Sequence, residues 1–282
     1  MIITVDTGGT KTLVASFDEE KNPKHIIKFP TPKNVDQYIQ RVADQIHLIA
    51  NDKPIDAISV ALPGVVKDGV AVWCQNLGWK NQPIRELLSR YFPNIPIFIA
   101  NDANMAGLAS MLRLPKTPRC GLYITLGTGV GTSLILNGNL HKELSDCEGG
   151  HMSLNYNGKI TTWEEIAAGR VLQRIFGELS SDTPLEVWEE VANRIKAGLQ
   201  PLIAFTQPDV VVIGGSVGVF TSYFSDILSG LLAENLPAAI PVPKIISAPS
   251  PEEIVLYGCY DNAISQLASN CTRFSRTAIQ GG

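Results

Sequence analysis

The sequence has no C-x-x-C pair, no block of like charge, and no apolar run near the roughly 18 residues that cross a bilayer. Its five cysteines, Cys74, Cys120, Cys147, Cys259 and Cys271, are odd in number and scattered. That pattern argues against a disulfide framework and a cysteine zinc cluster, and fits reduced thiols in a cytoplasm. The 23 Lys and Arg residues against 27 Asp and Glu form no basic run of the kind that tracks a phosphate backbone, so nucleic acid is not an expected partner. Met1-Ile2-Ile3-Thr4-Val5-Asp6 carries no basic segment ahead of its apolar stretch, which disfavours a secretory leader and, with the missing long apolar run, a membrane location. What is present, 45% hydrophobic and 18% charged residues over 282 positions, is the composition of a globular protein with enough chain for two domains.

The chain contains an internal echo. Residues 3–14 and 124–135 align at an offset of 121, and Ile, Thr, Thr, Gly and Leu recur between them. Each copy is a short β-branched run, a Thr-Gly turn and a second apolar run, the sequence form of a hairpin. Two similar halves, each opening with such a hairpin, are the simplest reading. Asn34 caps a helix whose apolar positions Val35, Tyr38, Ile39, Val42, Ala43, Ile46 and Ile49 keep a 3.6-residue period. Buried strands are expected at residues 55–61, closed by Pro63-Gly64, and at 95–100, ending at Asn101-Asp102, with a helix over 103–112. In the second half, strands are expected at 121–126, 132–137, 210–213 and near Ile245. Helices are expected from about Thr162, over 184–206, after Gly218 and over about 252–268, with a frayed tail from Asn270. The alternation is α/β, and the Pro-bearing stretch 114–118 is the best boundary candidate.

Several segments can carry chemistry. Asp6-Thr7-Gly8-Gly9-Thr10-Lys11-Thr12 places a carboxylate at a strand end, followed by a turn whose N–H groups and hydroxyls can converge on a phosphate with its metal; the other reading is a hairpin turn with an incidental Asp. The Walker spacing is absent, so Lys11 does not take that motif's lysine role. The second copy offers Gly127, Thr128, Gly129 and Gly131. Gly214, Gly215 and Ser216 lie between a buried strand and a helix, where a flat ligand can approach the backbone, or where a bare strand-to-helix turn would suffice. Asn101-Asp102 reads either as a helix cap or as a carboxylate that removes a proton from an attacking hydroxyl. Glu148-Gly149-Gly150-His151 can bond several neighbouring hydroxyls, or be a solvated polar loop. Cys147 and His151 are too few ligands for a four-coordinate zinc site. Thr162-Trp163-Glu164-Glu165 fits a capping box in which Glu165 reaches back and Glu164 is left free. Trp79 reads as core, with a sugar-lining role as the alternative, and Asn76 stays open.

Taken together, these segments resemble the ROK family, sugar kinases and repressors with an actin-like, ribonuclease-H-like fold of two α/β domains around a cleft. The resemblance runs nearly end to end. It implies a smaller domain at residues 1–115 plus about 255–270, and a larger one at 116–254. It also implies that Asp102 is the general base and that Gly64, Asn76, Asn101, Glu148, His151 and Glu164 line the sugar. Gly8, Gly9, Thr10, Lys11, Thr12, Gly127, Thr128 and Gly129 would hold phosphates, Gly214, Gly215 and Ser216 the adenosine, and Asp6 a Mg²⁺ ion, directly or through water. The implied reaction is transfer from ATP to a hexose, foremost the 6-hydroxyl of glucose as in a glucokinase. Fructose, mannose and N-acetylmannosamine stand as alternative acceptors and polyphosphate as an alternative donor. A homodimer is the family-level expectation. Most members carry C-x-C-G-x-x-G-C between the His and the last Glu, binding zinc with the His. Here that stretch is short and without cysteine, so no structural zinc is expected, and a shorter loop with packing around Trp163 should hold the segment instead. A sugar-sensing repressor is the rival reading; the expected leading helix-turn-helix has no room ahead of Asp6.

Overall fold

The computed structural model describes residues 1–18, 20–249 and 253–279, with side chains as far as residue 269. The chain divides into two compact units, residues 1–109 with 255–282, and residues 110–254.

The first unit starts with β1 (Ile2–Thr7), β2 (Lys11–Phe17) and β3 (Pro23–Pro30), followed by α1 (Val35–Ala50) and β4 (Ala57–Leu62). A small antiparallel sheet follows, made of β5 (Val65–Lys67), β6 (Val70–Cys74) and β7 (Trp79–Gln82). Then come α2 (Ile84–Ser89), β8 (Ile97–Asn101) and α3 (Asp102–Leu112). The main sheet has the order β3-β2-β1-β4-β8. β1 pairs antiparallel with β2, and parallel with β4, which pairs parallel with β8.

The second unit repeats this plan. It contains β9 (Cys120–Leu126), β10 (Val130–Leu136), β11 (Asn139–Leu140), β12 (Ser153–Tyr156) and β13 (Lys159–Thr162). The helices α4 (Trp163–Ala167), α5 (Gly169–Phe176) and α6 (Leu185–Thr206) follow, then β14 (Val210–Gly214), α7 (Gly215–Gly218), α8 (Thr221–Asn235) and β15 (Lys244–Ser247). Its main sheet, β11-β10-β9-β14-β15, has the same sense of pairing strand for strand, so the echo at offset 121 corresponds to two equivalent hairpins, β1β2 and β9β10.

The last helix, α9 (Ile254–Ile279), belongs almost wholly to the first unit. Its backbone stays helical past Asn270, contrary to the expected fraying there; the end of the expected tail, residues 280–282, and the expected helix start at Glu252 lie outside the described residues.

Local sequence accounts for the long elements. Asn34 Oδ1 accepts the Gln37 N–H at 3.0 Å, and Tyr38, Ile39, Val42, Ala43, Ile46 and Ile49 of α1 are buried against the sheet. Burying each of the Ile and Val side chains contributes about 1.5–3 kcal/mol. In the second unit, α6 buries Trp188, Val191, Ala192, Ile195, Leu199 and Ile203 in a core shared with β9, β14 and α8.

The segment between His151 and Glu164 is a hairpin rather than a loop. Asn157 and Gly158 both have positive φ, 51° and 79°, the turn that matches the twist of paired strands. Trp163, fully buried, closes its base, and the ideal Cβ of a residue at Gly198 would lie 2.1 Å from the indole. Tyr156 donates to Glu190 Oε1 at 3.1 Å, while Arg194 lies over the Tyr156 ring at 5.4 Å. Among the described residues, no helix is long and apolar enough to cross a membrane.

Candidate active site

In the first unit the candidate residues gather at the carboxyl ends of the parallel strands, the edge where open α/β sheets bind ligands. Asp6 is aligned with Ala61 on β4, and Ala61 with Ala100 on β8. Asp102 follows two residues later. Asp6 and Asp102 are therefore separated by two strand spacings across the sheet, about 10 Å, and two residues of rise along it, about 7 Å, or roughly 12 Å in all.

Gly64, between them, has φ +84°, and a Cβ there would meet the Trp73 carbonyl oxygen at 2.3 Å, so glycine is required. Asn101 donates through Nδ2 to Gly64 O at 2.9 Å and accepts the Asn104 N–H at 3.0 Å. It is thus a helix cap, and it also pins the Gly64 turn. Asp102 opens α3 and accepts the Ala103 N–H at 2.8 Å.

Burial pushes the Asp6 carboxyl up to about 7, with Lys11 pulling it partway back. No described residue donates a hydrogen bond to it. The neighbouring Cys74 thiol is pushed up to about 12, by burial first and by the Asp102 charge second. Tyr38 and Cys259 are raised by burial, with the Asp6 charge adding to both.

The turn after Asp6 is closed by Gly8 N–H to Lys11 O at 2.8 Å. Thr31 braces it, donating Oγ1 to Gly8 O at 2.8 Å and its N–H to Thr10 O at 3.0 Å. Gly9 lies against Asn76, whose Cβ would be 3.1 Å from a Cβ at Gly9. Asn76 is exposed, and Trp79 is core at 3% exposure.

In the second unit three glycine segments converge. Gly127 N–H reaches Gly129 O at 3.0 Å. A Cβ at Gly169 would meet Ser216 Oγ at 2.9 Å and Gly127 O at 3.0 Å, and one at Gly215 would meet the Leu126 carbonyl oxygen at 2.6 Å. Gly214 is buried, Ser216 is exposed and donates to Leu126 O at 3.4 Å, and Thr128 is exposed.

The Glu148–His151 turn docks on the start of β10. Gly149 donates to Thr132 Oγ1 at 2.9 Å, and a Cβ at Gly150 would lie 2.0 Å from Val130 O. Burial raises the Glu148 carboxyl, the His151 charge lowers it, and the Glu164 and Asp146 charges raise it further. His151 is exposed, as is Cys147. Among the described residues no three His, Cys, Asp or Glu side chains group as a metal site.

Glu164 is not the free carboxylate the capping argument predicts. Its Oε2 accepts the Val130 N–H at 3.0 Å and its Oε1 the Arg170 Nη2 at 3.2 Å. Thr162 caps α4 as expected, accepting the Glu165 N–H at 3.3 Å. The Glu165 carboxylate, however, pairs with Arg170 instead of reaching back, because a guanidinium one turn on is the stronger partner. Gly169 ends the Glu164-Glu165-Ile166-Ala167-Ala168-Gly169 run that matches the family's short helix. Arg170, Thr31 and Lys33 carry no signal in the sequence reading: Thr31 and Lys33 act on residues 23 to 43 positions away, and Arg170 on Glu164 and Glu165 across the break between α4 and α5.

Two sheets of one topology, each headed by a glycine-turned hairpin with an acidic or polar cluster at its carboxyl edge, define the actin-like, ribonuclease-H-like ATPase fold. The chain belongs to the ROK family, whose family model matches residues 2–254. It is 24% identical over 261 residues to a glucokinase of Streptomyces coelicolor, covering 77% of this chain and 82% of that one. It is 29% identical over 252 residues to an N-acetylmannosamine kinase of Vibrio vulnificus, covering 79% and 85%. Among solved structures it is similar to a ROK glucokinase from Streptomyces griseus in complex with glucose and AMPPNP, with a TM-score of 0.79 at 21% identity over 94% of this chain and 99% of that one.

Proposed function

We propose that the chain is an ATP-dependent sugar kinase that transfers the γ-phosphate to a hexose hydroxyl, with O6 of glucose as the first acceptor to test. The observation that carries the reading is the placement of Asp6 and Asp102 on one sheet edge, flanking the Gly64 turn, at a separation suited to a phosphoryl chain at one carboxylate and an alcohol at the other. The glucokinase and N-acetylmannosamine kinase relatives support a sugar acceptor, and the structure with AMPPNP supports a nucleotide donor.

Phosphoryl transfer asks chiefly for positioning and charge stabilisation. In this reading the backbone N–H groups of residues 8–12 and 127–129 cradle the polyphosphate, and Gly214, Gly215 and Ser216 leave room for the nucleoside. Asn76, Asn101, Glu148, His151 and Glu164 hold the sugar hydroxyls, and Asp102 takes the proton of the attacking one. Asp6 suits a Mg²⁺ ion, since its carboxylate is desolvated and takes no hydrogen bond from a described residue. Such an ion, when bound, neutralises phosphate charge.

An assay of sugar-phosphate formation over glucose, fructose, mannose and N-acetylmannosamine, run with ATP and with polyphosphate and with coupled ADP release followed in the ATP arm, tests the proposal. Hexose-dependent ADP release, highest with glucose, is expected. No release with any of the four sugars overturns it.

A further inference from the structure

The connection from β3 to α1 has no chemical role in the kinase reading, yet it holds much of the first glycine loop. Besides the two Thr31 bonds, Thr12 Oγ1 and Thr31 Oγ1 lie 2.9 Å apart. Lys33 reaches further. Its Nζ donates to Gly9 O at 2.6 Å and to Asn76 O at 2.6 Å, joining the phosphate turn to the Asn76 turn across 24 and 43 positions of sequence.

The lysine backbone is itself held, because Trp79 Nε1 donates to Lys33 O at 2.7 Å. Trp79 is core, its ring centroid 4.8 Å from that of Tyr38, and the Tyr38 hydroxyl is 2.7 Å from Thr7 Oγ1, directly before the glycines. The circuit Thr7, Tyr38, Trp79, Lys33, Gly9 is therefore closed within the first unit. An exposed lysine ordinarily stays solvated and keeps its rotamer freedom, so two short charge-assisted bonds to carbonyls of separate loops mark a specific connection.

The geometry points to Lys33 as a positioning residue that makes the donor-phosphate turn and the Asn76 turn move as one body. The inference rests on the sugar-kinase reading for its catalytic consequence. Because Lys33 and Asn76 are exposed and Gly9 is only partly buried, water can replace the ammonium, so losing Lys33 leaves global stability nearly unchanged and acts locally.

The test compares the full chain with Lys33→Met and Lys33→Arg by amide hydrogen exchange and by steady-state kinetics with ATP and glucose. In Lys33→Met, exchange in residues 8–12 and 75–78 should accelerate together, about three- to tenfold, while the urea midpoint holds. The kcat should fall about tenfold with both KM values within about twofold, since the ligands still bind but are less well registered. Lys33→Arg, which can also bridge two carbonyls, should recover much of the loss. Faster exchange in one loop alone or in neither overturns the assignment. So does a tenfold loss of nucleotide-analogue affinity with unchanged exchange, which would make Lys33 a phosphate contact. If the wild-type chain phosphorylates no hexose, the kinase reading fails, and the exchange measurement still decides the role of Lys33.

Discussion

Replacing Asp6 with Asn removes a negative charge from a strand end where the protein desolvates it and, among the described residues, Lys11 alone counters it. The carboxyl rises from 3.8 to about 7 on folding, a shift of about 3 units, and at about 1.4 kcal/mol per unit the ceiling is about 4 kcal/mol. Asp6 keeps some solvent contact, which screens the charge, so about 2 kcal/mol is the working figure. The sign follows from proton uptake. Between pH 3.8 and 7 the folded state holds more of this proton than the unfolded state, so stability falls as pH rises through that window and levels off above it. Asp6→Asn should therefore be more stable than the wild type by about 2 kcal/mol at pH 8 and nearly equal to it at pH 4. Any loss from an imperfectly bonded amide is common to both pH values and cancels in the difference. The assay is urea unfolding at each pH, read by pulsed exchange of peptides from β1 and β4 so that the first unit is followed by itself. An equal stability change at both pH values would refute charge burial as the cause. The same variant should lose turnover, since a carboxylate kept at a stability cost is the mark of a functional site.

Asp102→Asn should lower kcat by about 10² or more while hexose binding by calorimetry stays within about threefold; near-normal turnover rejects its role as base. Arg170→Gln removes the countercharge that holds Glu164 under the Val130 N–H, and should reduce kcat/KM about tenfold while changing stability by under about 0.5 kcal/mol, because the guanidinium is exposed. Gly150→Ala drives a methyl group into the Val130 carbonyl oxygen and should cost about 3 kcal/mol in urea unfolding, with a raised KM for the sugar; an unaffected midpoint would show that the turn yields freely.

The long periodic elements were legible because their signal is local. The α1 face and its Asn34 cap, the α6 run and the β-branched strands all read directly from spacing. The β3 edge strand did not, since residues 23–30 are mostly exposed and show no alternation, and their pairing with β2 is set by the fold. The β12β13 hairpin was within reach, because Asn157-Gly158 is the strongest hairpin dipeptide, and reading the segment as a short loop passes over it. At the site, Asp6, Asp102 and the glycine turns carry recognisable patterns. Lys33 and Arg170 are ordinary surface cations in sequence: the Lys33 partners lie 24 and 43 positions away, and the Arg170 partners lie five and six positions away across the break between α4 and α5.

The return of α9 to the first unit orders events at the ribosome. Leu256, Tyr260 and Ala263 complete the apolar cluster formed by Ile2, Leu13, Ala15, Phe17 and Ala57. Leu256 emerges about 240 residues after Phe17, on the order of ten to fifty seconds later at usual elongation rates. Until then the opening sheet keeps a bare oily side, while the uninterrupted middle of the polypeptide already has all it needs to condense. The nascent chain's second module is thus the first able to finish, and its leading module waits for the tail.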